Sequence, residues 1–208
     1  EGEFRKFHGN RRLSDAECFS IKKYHLSDIF RDPTAKELLK QSPFLNWMDV
    51  DSIQPLLANG PYYSTRQIGR YLLFDHIASL VQQIQHKCHL ATSAAHCTNL
   101  NVFIFNSVCG GVGSGCFLDV CYLVRHVLHS MGLTGKLTGY FFLPEVLTSK
   151  PAITADPSVV QCCNATGYAT LKELDYLMKL QGTTEWFEQR YDATTYIHTQ
   201  EPPVDTCQ

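Results

Sequence analysis

A glycine-rich segment at residues 110–115 has the residue types best suited to hold an anion. Glycines let the backbone approach a phosphate closely, and the N–H groups that begin a following helix point at the anion. The helix dipole adds to the attraction. The segment consists of Gly110, Gly111, Val112, Gly113, Ser114 and Gly115. Because an ordinary turn needs only one or two glycines, we predict a phosphate-binding loop here, with a tight ligand-free turn as the alternative.

The segment matches neither of the two commonest phosphate-binding loops, in each case because of one residue. A GxxxxGK[ST] loop requires a lysine that this segment does not have. A dinucleotide fingerprint built on Gly111 and Gly113 requires glycine or alanine at position 116, which is cysteine. A loop without lysine has to neutralise phosphate through backbone dipoles, neighbouring loops or a bound cation.

Hydrophobic periodicity around this loop predicts alternating helices and strands. Helical spacing extends over 65–87 and 159–180, and a polar connector is expected at 88–100. The run 101–105 predicts a fully buried strand, with further strands at Leu137–Leu143 and Thr194–His198. The helix after the loop is expected over 116–131, ended by Gly132. This order predicts an α/β fold with a Rossmann-like parallel sheet flanked by helices.

Charge and composition exclude several classes of protein. The 208 residues carry 18 basic and 20 acidic side chains, which argues against a strongly basic nucleic-acid binder. No apolar run reaches the ~18 residues of a membrane span, and the first residues show no signal peptide. The nine cysteines are therefore expected to be reduced, in the cytoplasm. One cluster has metal-ligand residue types but matches no common zinc spacing: His86, Cys88, His89, His96 and Cys97.

The segment GGVGSG after an apolar strand resembles the GGGTGSG signature of the tubulin/FtsZ superfamily. Upstream, Asn59 and Gly60, followed by 66–70, resemble the phosphate-sensing loop and next helix of prokaryotic tubulin-like proteins. Downstream, 158–166 is similar to the tubulin segment that begins the helix after the sugar-contacting loop. The resemblance covers roughly 44–200 and leaves residues 1–43 as an N-terminal helical or irregular segment.

The resemblance implies a site for GTP and Mg²⁺. The segment Gly110–Gly115 would cradle the phosphates, Asn59 and Gly60 would approach the terminal phosphate, and Gln161 and Asn164 fall where ribose contacts are expected. For Asn59 and Gly60 a plain turn is an equal alternative, and for Asn164 a helix start is. Subunits of this superfamily stack head to tail into filaments. The acid that activates water comes from the neighbouring subunit, so no catalytic residue is assigned in this chain.

The sequence also departs from the family pattern. Val112 replaces the signature threonine, and the lost hydrogen bond is worth about 1.5–3 kcal/mol, or ~10- to 150-fold in affinity. Residues 44–208 match only the central part of the domain, without its first phosphate loop and C-terminal domain, so we expect a fragment. Two alternatives stay open: a scaffold that assembles without hydrolysing nucleotide and, less favoured, an NAD(P)-binding oxidoreductase with Glu145 as its nearest acidic candidate.

Overall fold

A computed structural model describes residues 17–21, 26–53 and 65–208. Its helices are α1 Leu26–Arg31, α2 Pro33–Gln41, α3 Arg66–Phe74, α4 Ile77–Ala95, α5 Gly111–Ser130, α6 Pro144–Thr148, α7 Pro151–Thr154 and α8 Pro157–Met178. Its strands are β1 Asn99–Ser107, β2 Thr134–Phe142, β3 Phe187–Arg190, β4 Tyr196–Thr199 and β5 Thr206–Cys207. Strands β1, β2 and β5 form a parallel sheet in that spatial order, flanked by helices. The predicted fold class is confirmed.

Local sequence signals set several helix ends. Asp32 and Asp156 each accept a hydrogen bond of 2.9 Å from the backbone N–H two residues later, and each is followed by a proline in the first helical position. Helix α5 stops where Gly132 takes a φ of +65°, a conformation that glycine adopts at little cost. Gly132 therefore ends this helix, as predicted.

The predicted helix over 65–87 is instead two helices, α3 and α4. The break lies at Asp75 and His76, where His76 has non-helical φ and ψ of −122° and 12°. Helix α4 then continues to Ala95, through most of the stretch expected to be a connector. That stretch is rich in alanine, which favours helix. The Thr92 hydroxyl donates a hydrogen bond to the Cys88 carbonyl at 2.9 Å.

The expectation that the first strand is fully buried is wrong. Along β1 the exposed and partly buried positions alternate, and Phe103 and Phe105 are 56% and 64% exposed. The opposite face, which carries Val102 and Ile104, packs into the core around α5. A run that is apolar on both faces does not reveal which face the neighbouring helices cover, because burial is decided by those helices.

The last predicted strand is also placed differently. Strand β4 pairs antiparallel with β3 in a separate two-stranded sheet and takes no part in the parallel sheet. The third parallel strand is β5, two residues long. Such a short strand leaves no periodicity that a sequence pattern could show.

A charged contact holds β5 against the sheet. The Arg125 guanidinium donates to Asp205 Oδ1 at 2.9 Å and to the Pro202 carbonyl at 2.8 Å. Asp205 Oδ2 in turn accepts the backbone N–H of Leu137, at 2.6 Å, on β2. One carboxylate therefore joins helix α5, strand β2 and the chain that leads into β5.

We expect Asp205→Ala to lower the free energy of unfolding by about 1–2 kcal/mol, because the Leu137 N–H and the Arg125 guanidinium both lose an acceptor. Hydrogen exchange at the Leu137 amide should accelerate. Glu201→Ala is the matched control, since Glu201 is exposed and its contact with His129 is 3.8 Å long. Equal exchange at Leu137 in both variants would contradict this assignment.

Candidate functional site

The glycine segment forms the start of α5. The helix begins at Gly111, so the expectation of a turn extending to Gly115 is wrong, and three residues connect it to the end of β1. Gly110 is the N-cap residue, and the first helical bond runs from the Ser114 N–H to its carbonyl at 2.9 Å. The N–H groups of Gly111, Val112 and Gly113 therefore have no acceptor within the helix. They lie at the carboxyl end of a parallel strand, where α/β proteins commonly bind ligands.

Two glycines of the segment are also required by packing. A Cβ on Gly113 would lie 2.8 Å from both Asn106 Oδ1 and the Ser107 carbonyl oxygen. A Cβ on Gly115 would lie 2.2 Å from the Arg66 carbonyl oxygen of α3. By contrast, nothing lies within 4 Å of a Cβ built on Gly110. The glycine content of this segment therefore has a packing explanation at two positions, beside the predicted role in binding.

Helix α3 crosses the first turn of α5 in contact with its backbone. Gly69 lies at this crossing, and a Cβ there would be 2.4 Å from the Gly111 carbonyl oxygen and 2.7 Å from Val112 Cα. Cys116, the residue that breaks the dinucleotide fingerprint, donates its thiol to the Gly69 carbonyl at 3.0 Å. Burial raises the pKa of this thiol to about 12. Cys116 is thus an unreactive packing residue that holds the two helices together.

Ser114 carries a polar group for which the described residues supply no partner. Its side chain is 1% exposed, and its Oγ is the one buried side-chain oxygen or nitrogen of the described residues without a hydrogen bond. Leaving a buried hydroxyl unsatisfied costs about 1–3 kcal/mol. Native structures contain few such groups.

A cleft of about 410 Å³ opens beside the first turns of α5. It lies between α3, α5, α8 and β3 and shares Ser114 and Gly115 with the glycine segment. On one side of it the Arg66 guanidinium donates to the Ser114 carbonyl at 3.2 Å and to Glu173 at 2.9 Å. The cleft thus adjoins the side of the loop, and its charged groups are paired with each other.

A buried charged network fixes α3, α5 and the β3–β4 sheet in their relative positions. Arg70 donates to both oxygens of Asp119, each at 2.8 Å, and to Gln189 at 3.0 Å. The Tyr191 hydroxyl donates to Asp119 at 2.8 Å. Burial lowers the pKa of Arg70, but the negative charge of Asp119 and the hydrogen bonds to it raise that pKa by more. The net pKa of Arg70 is therefore above its ordinary value. Burial raises the pKa of Tyr191 as well, which keeps its proton available to Asp119.

Sequence reasoning missed this network. One signal for it was present: Asp119 is an acidic residue within the apolar helix after the glycine loop. A carboxylate that is 2% exposed needs a partner, because an unpaired buried charge is strongly unfavourable. The sequence did not indicate that the partners would be Arg70 and Tyr191.

The structure describes two of the four remaining predicted site residues. Gln161 and Asn164 are exposed on α8, which begins at Pro157, so Asn164 is not a helix-start residue. Helix α8 approaches the residues before the glycine segment at Gly167, where an added Cβ would lie 3.6 Å from Val108 Cγ2. Asn59 and Gly60 lie outside the described residues.

Comparison with known proteins gives one finding. A family model described as "Tubulin like" matches residues 15–208. No curated protein and no solved structure gives a significant match. Within the described ranges, no helix has the length and apolar character needed to cross a membrane.

Proposed function

The chain belongs to the tubulin-like family, and from that membership we propose that the first turn of α5 binds the phosphates of GTP. The observation that carries the proposal is the set of three backbone N–H groups, at 111–113, which have no helical acceptor and lie at the end of a parallel strand. A phosphate at this position accepts these hydrogen bonds and is favoured by the helix dipole. The unsatisfied Ser114 hydroxyl in the same turn supports a ligand beside it.

The backbone N–H groups at the start of α5 can bind a phosphate without help from a basic side chain. Gly110 leaves the approach open, since nothing lies within 4 Å of its Cβ position. Among the described residues, no three His, Cys, Asp or Glu side chains are grouped to hold a metal ion. We therefore expect Mg²⁺ to be held by phosphate oxygens and water rather than by a protein cage.

The proposal also includes GTP hydrolysis coupled to head-to-tail assembly of the full-length protein. In a tubulin-like filament, head-to-tail contact brings an acidic residue of the next subunit to the nucleotide. This chain then contributes phosphate positioning and charge stabilisation, which are the main protein contributions to phosphoryl transfer. Phosphate release that depends on protein concentration, followed together with light scattering, tests both steps in the full-length protein.

Restoring the signature threonine should strengthen GTP binding. We expect Val112→Thr to lower the dissociation constant by ~10- to 150-fold, the value of one added hydrogen bond to a charged phosphate. Val112 is partly buried and packs against the core beside α3 and α5, so a small loss of packing accompanies the added hydroxyl. Calorimetric titration with GTP and with ATP measures the change. A preference for GTP over ATP is expected, and equal millimolar affinities for both would contradict the proposal.

A bulky residue at Gly113 should abolish nucleotide binding. Gly113→Leu brings a side chain against Asn106 and the Ser107 carbonyl and displaces the amides at the start of α5. Asp175→Ala is the control, because Asp175 is exposed on α8 and outside the glycine segment. Circular dichroism of both variants separates lost binding from lost structure. Unchanged GTP affinity in a folded Gly113→Leu variant would contradict the assigned site.

A nucleotide-independent tubulin-like scaffold is the second candidate function. The packing requirement at Gly113 and Gly115 favours it, because those glycines would be kept even without a ligand. Polymerisation of the full-length protein without nucleotide, and without phosphate release, would select this function over the first.

A further inference from the structure

The cleft beside the first turns of α5 has the size of a small-molecule site. Its volume is about 410 Å³, and such sites commonly measure roughly 300–1,000 Å³. Of the glycine segment, only Ser114 and Gly115 line it. The three amides that we propose bind phosphate, at 111–113, are therefore outside the cleft, and a different molecule can occupy it.

Arg70 supplies unused hydrogen-bond donors to this cleft. Its Nε and Nη2 atoms donate to Asp119, each at 2.8 Å, and Nη2 also donates to Gln189 at 3.0 Å. Nη1 makes no hydrogen bond within the described residues. It is not buried either, because Ser114 Oγ is the one buried side-chain oxygen or nitrogen of those residues without a partner. Since Arg70 lines the cleft, Nη1 offers two accessible N–H groups there.

Gln67 adds a second donor from the same helix. Its Oε1 accepts the Asp49 backbone N–H at 2.9 Å, whereas its Nε2 has no partner within the described residues. Residues three apart in a helix lie on one face, and both Gln67 and Arg70 line the cleft. Because both side chains offer N–H groups, the complementary ligand group is a hydrogen-bond acceptor.

The charged side chains of the cleft favour an acceptor that carries no charge. Arg70 is paired with Asp119, and Arg66 donates to both carboxylate oxygens of Glu173. A carboxylate placed at Arg70 Nη1 would also lie near Asp119, and repulsion between the two anions would offset the attraction to the guanidinium. A neutral carbonyl oxygen accepts the same hydrogen bonds without that repulsion.

Apolar side chains form the rest of the wall: Trp47, Leu118, Tyr176, Leu177 and Phe187. Two of these rings are held in place by their own contacts. The Trp47 indole N–H donates to the Phe44 carbonyl at 3.1 Å, and the Phe187 ring stacks on Tyr122 with a centroid distance of 3.7 Å. Fixed aromatic walls favour a flat aromatic ligand, because aromatic rings gain from packing against each other.

We propose that this cleft binds an uncharged aromatic ring that carries an amide or lactam carbonyl. The carbonyl oxygen accepts hydrogen bonds from Arg70 Nη1 and Gln67 Nε2, and the ring lies against the apolar wall. The site is additional to the proposed GTP site and does not depend on it, since neither the donors nor the apolar wall belong to the glycine segment.

Nuclear magnetic resonance of the ¹⁵N-labelled full chain with benzamide tests the proposal. Benzamide is an uncharged aromatic amide, and we expect a dissociation constant on the order of 1 mM for so small a ligand. The indole N–H signal of Trp47 should shift on binding, whereas that of Trp186 should not, because Trp186 does not line the cleft. Trp186→Phe identifies the second signal.

Charged ligands and two variants sharpen the test. Benzoate and benzylamine keep the ring but carry a charge, so each should bind at least about tenfold more weakly than benzamide. Gln67→Glu keeps the acceptor for the Asp49 N–H but loses the Nε2 donor, and it should weaken benzamide binding by about 3- to 10-fold. Asp175→Ala is the control, because Asp175 is exposed on α8 and does not line the cleft.

Three results would overturn the proposal. One is a Trp47 signal that benzamide leaves unmoved, and another is benzoate binding as tightly as benzamide. The third is displacement of benzamide by saturating GTP, which would place the nucleotide itself in the cleft. All three use the unaltered chain, so they decide the matter even where Gln67→Glu folds poorly. A chain that binds benzamide but not GTP would retain this site and lose the proposed function, so the two failures are distinguishable.

Discussion

Replacing Asp119 with alanine is expected to lower the free energy of unfolding by about 3–5 kcal/mol. The carboxylate is 2% exposed and receives two hydrogen bonds from Arg70 and one from Tyr191. Its removal leaves the Arg70 guanidinium, whose side chain is 23% exposed, without its charge partner, and the buried Tyr191 hydroxyl without an acceptor. The loss exceeds the net value of the pair, because a partly buried charge is left without compensation. Urea denaturation with a two-state fit measures it.

Two comparison variants make the Asp119 result interpretable. Tyr191→Phe removes only the hydroxyl and should cost about 1 kcal/mol. Asp175→Ala removes an exposed i,i+4 pair with Lys179 and should cost less than about 0.5 kcal/mol. The expected loss in free energy of unfolding is therefore largest for Asp119→Ala, smaller for Tyr191→Phe and smallest for Asp175→Ala. A loss for Asp119→Ala as small as that for Asp175→Ala would show that the network does not stabilise the fold.

Replacing Gly69 with alanine is expected to destabilise the protein by about 1–3 kcal/mol and to abolish GTP binding. The added methyl would meet the Gly111 carbonyl oxygen and Val112 Cα, and backbone atoms cannot rotate away as a side chain does. Helices α3 and α5 must separate, which moves the three amides that we propose bind phosphate. The direction of the change in stability is informative, because replacing glycine with alanine inside a helix otherwise stabilises the protein by about 1 kcal/mol.

Thermal denaturation and GTP titration of Gly69→Ala measure the two effects. Asp175→Ala serves again as the reference, because it changes an exposed residue outside the glycine segment. If Gly69→Ala were more stable than the wild type, the close crossing of α3 and α5 would be wrong. If it were less stable but bound GTP normally, the crossing would be right and the binding site would lie elsewhere.

The correctly predicted features depend on residues that are close together in the chain. Gly132, with a φ of +65°, ends the helix as its position in the sequence indicated. The parallel sheet followed from the order of helices and strands. By contrast, the break at Asp75 and His76, the exposed face of β1 and the separate β3–β4 sheet were not predicted. Each of these depends on which other segment packs against the one in question.

The sequence by itself determined the fold class, the position of the glycine segment after a strand, and the resemblance to the family that the comparison then showed. These are properties of residues close together in the chain, where glycine freedom and hydrophobic spacing act. Only the tertiary structure decided that Gly69 and Gly115 lie at a backbone-to-backbone crossing and that Asp119 pairs with Arg70. Those contacts join residues 42 to 49 positions apart. Periodicity reports which face of an element is apolar, but it does not report which distant element covers that face.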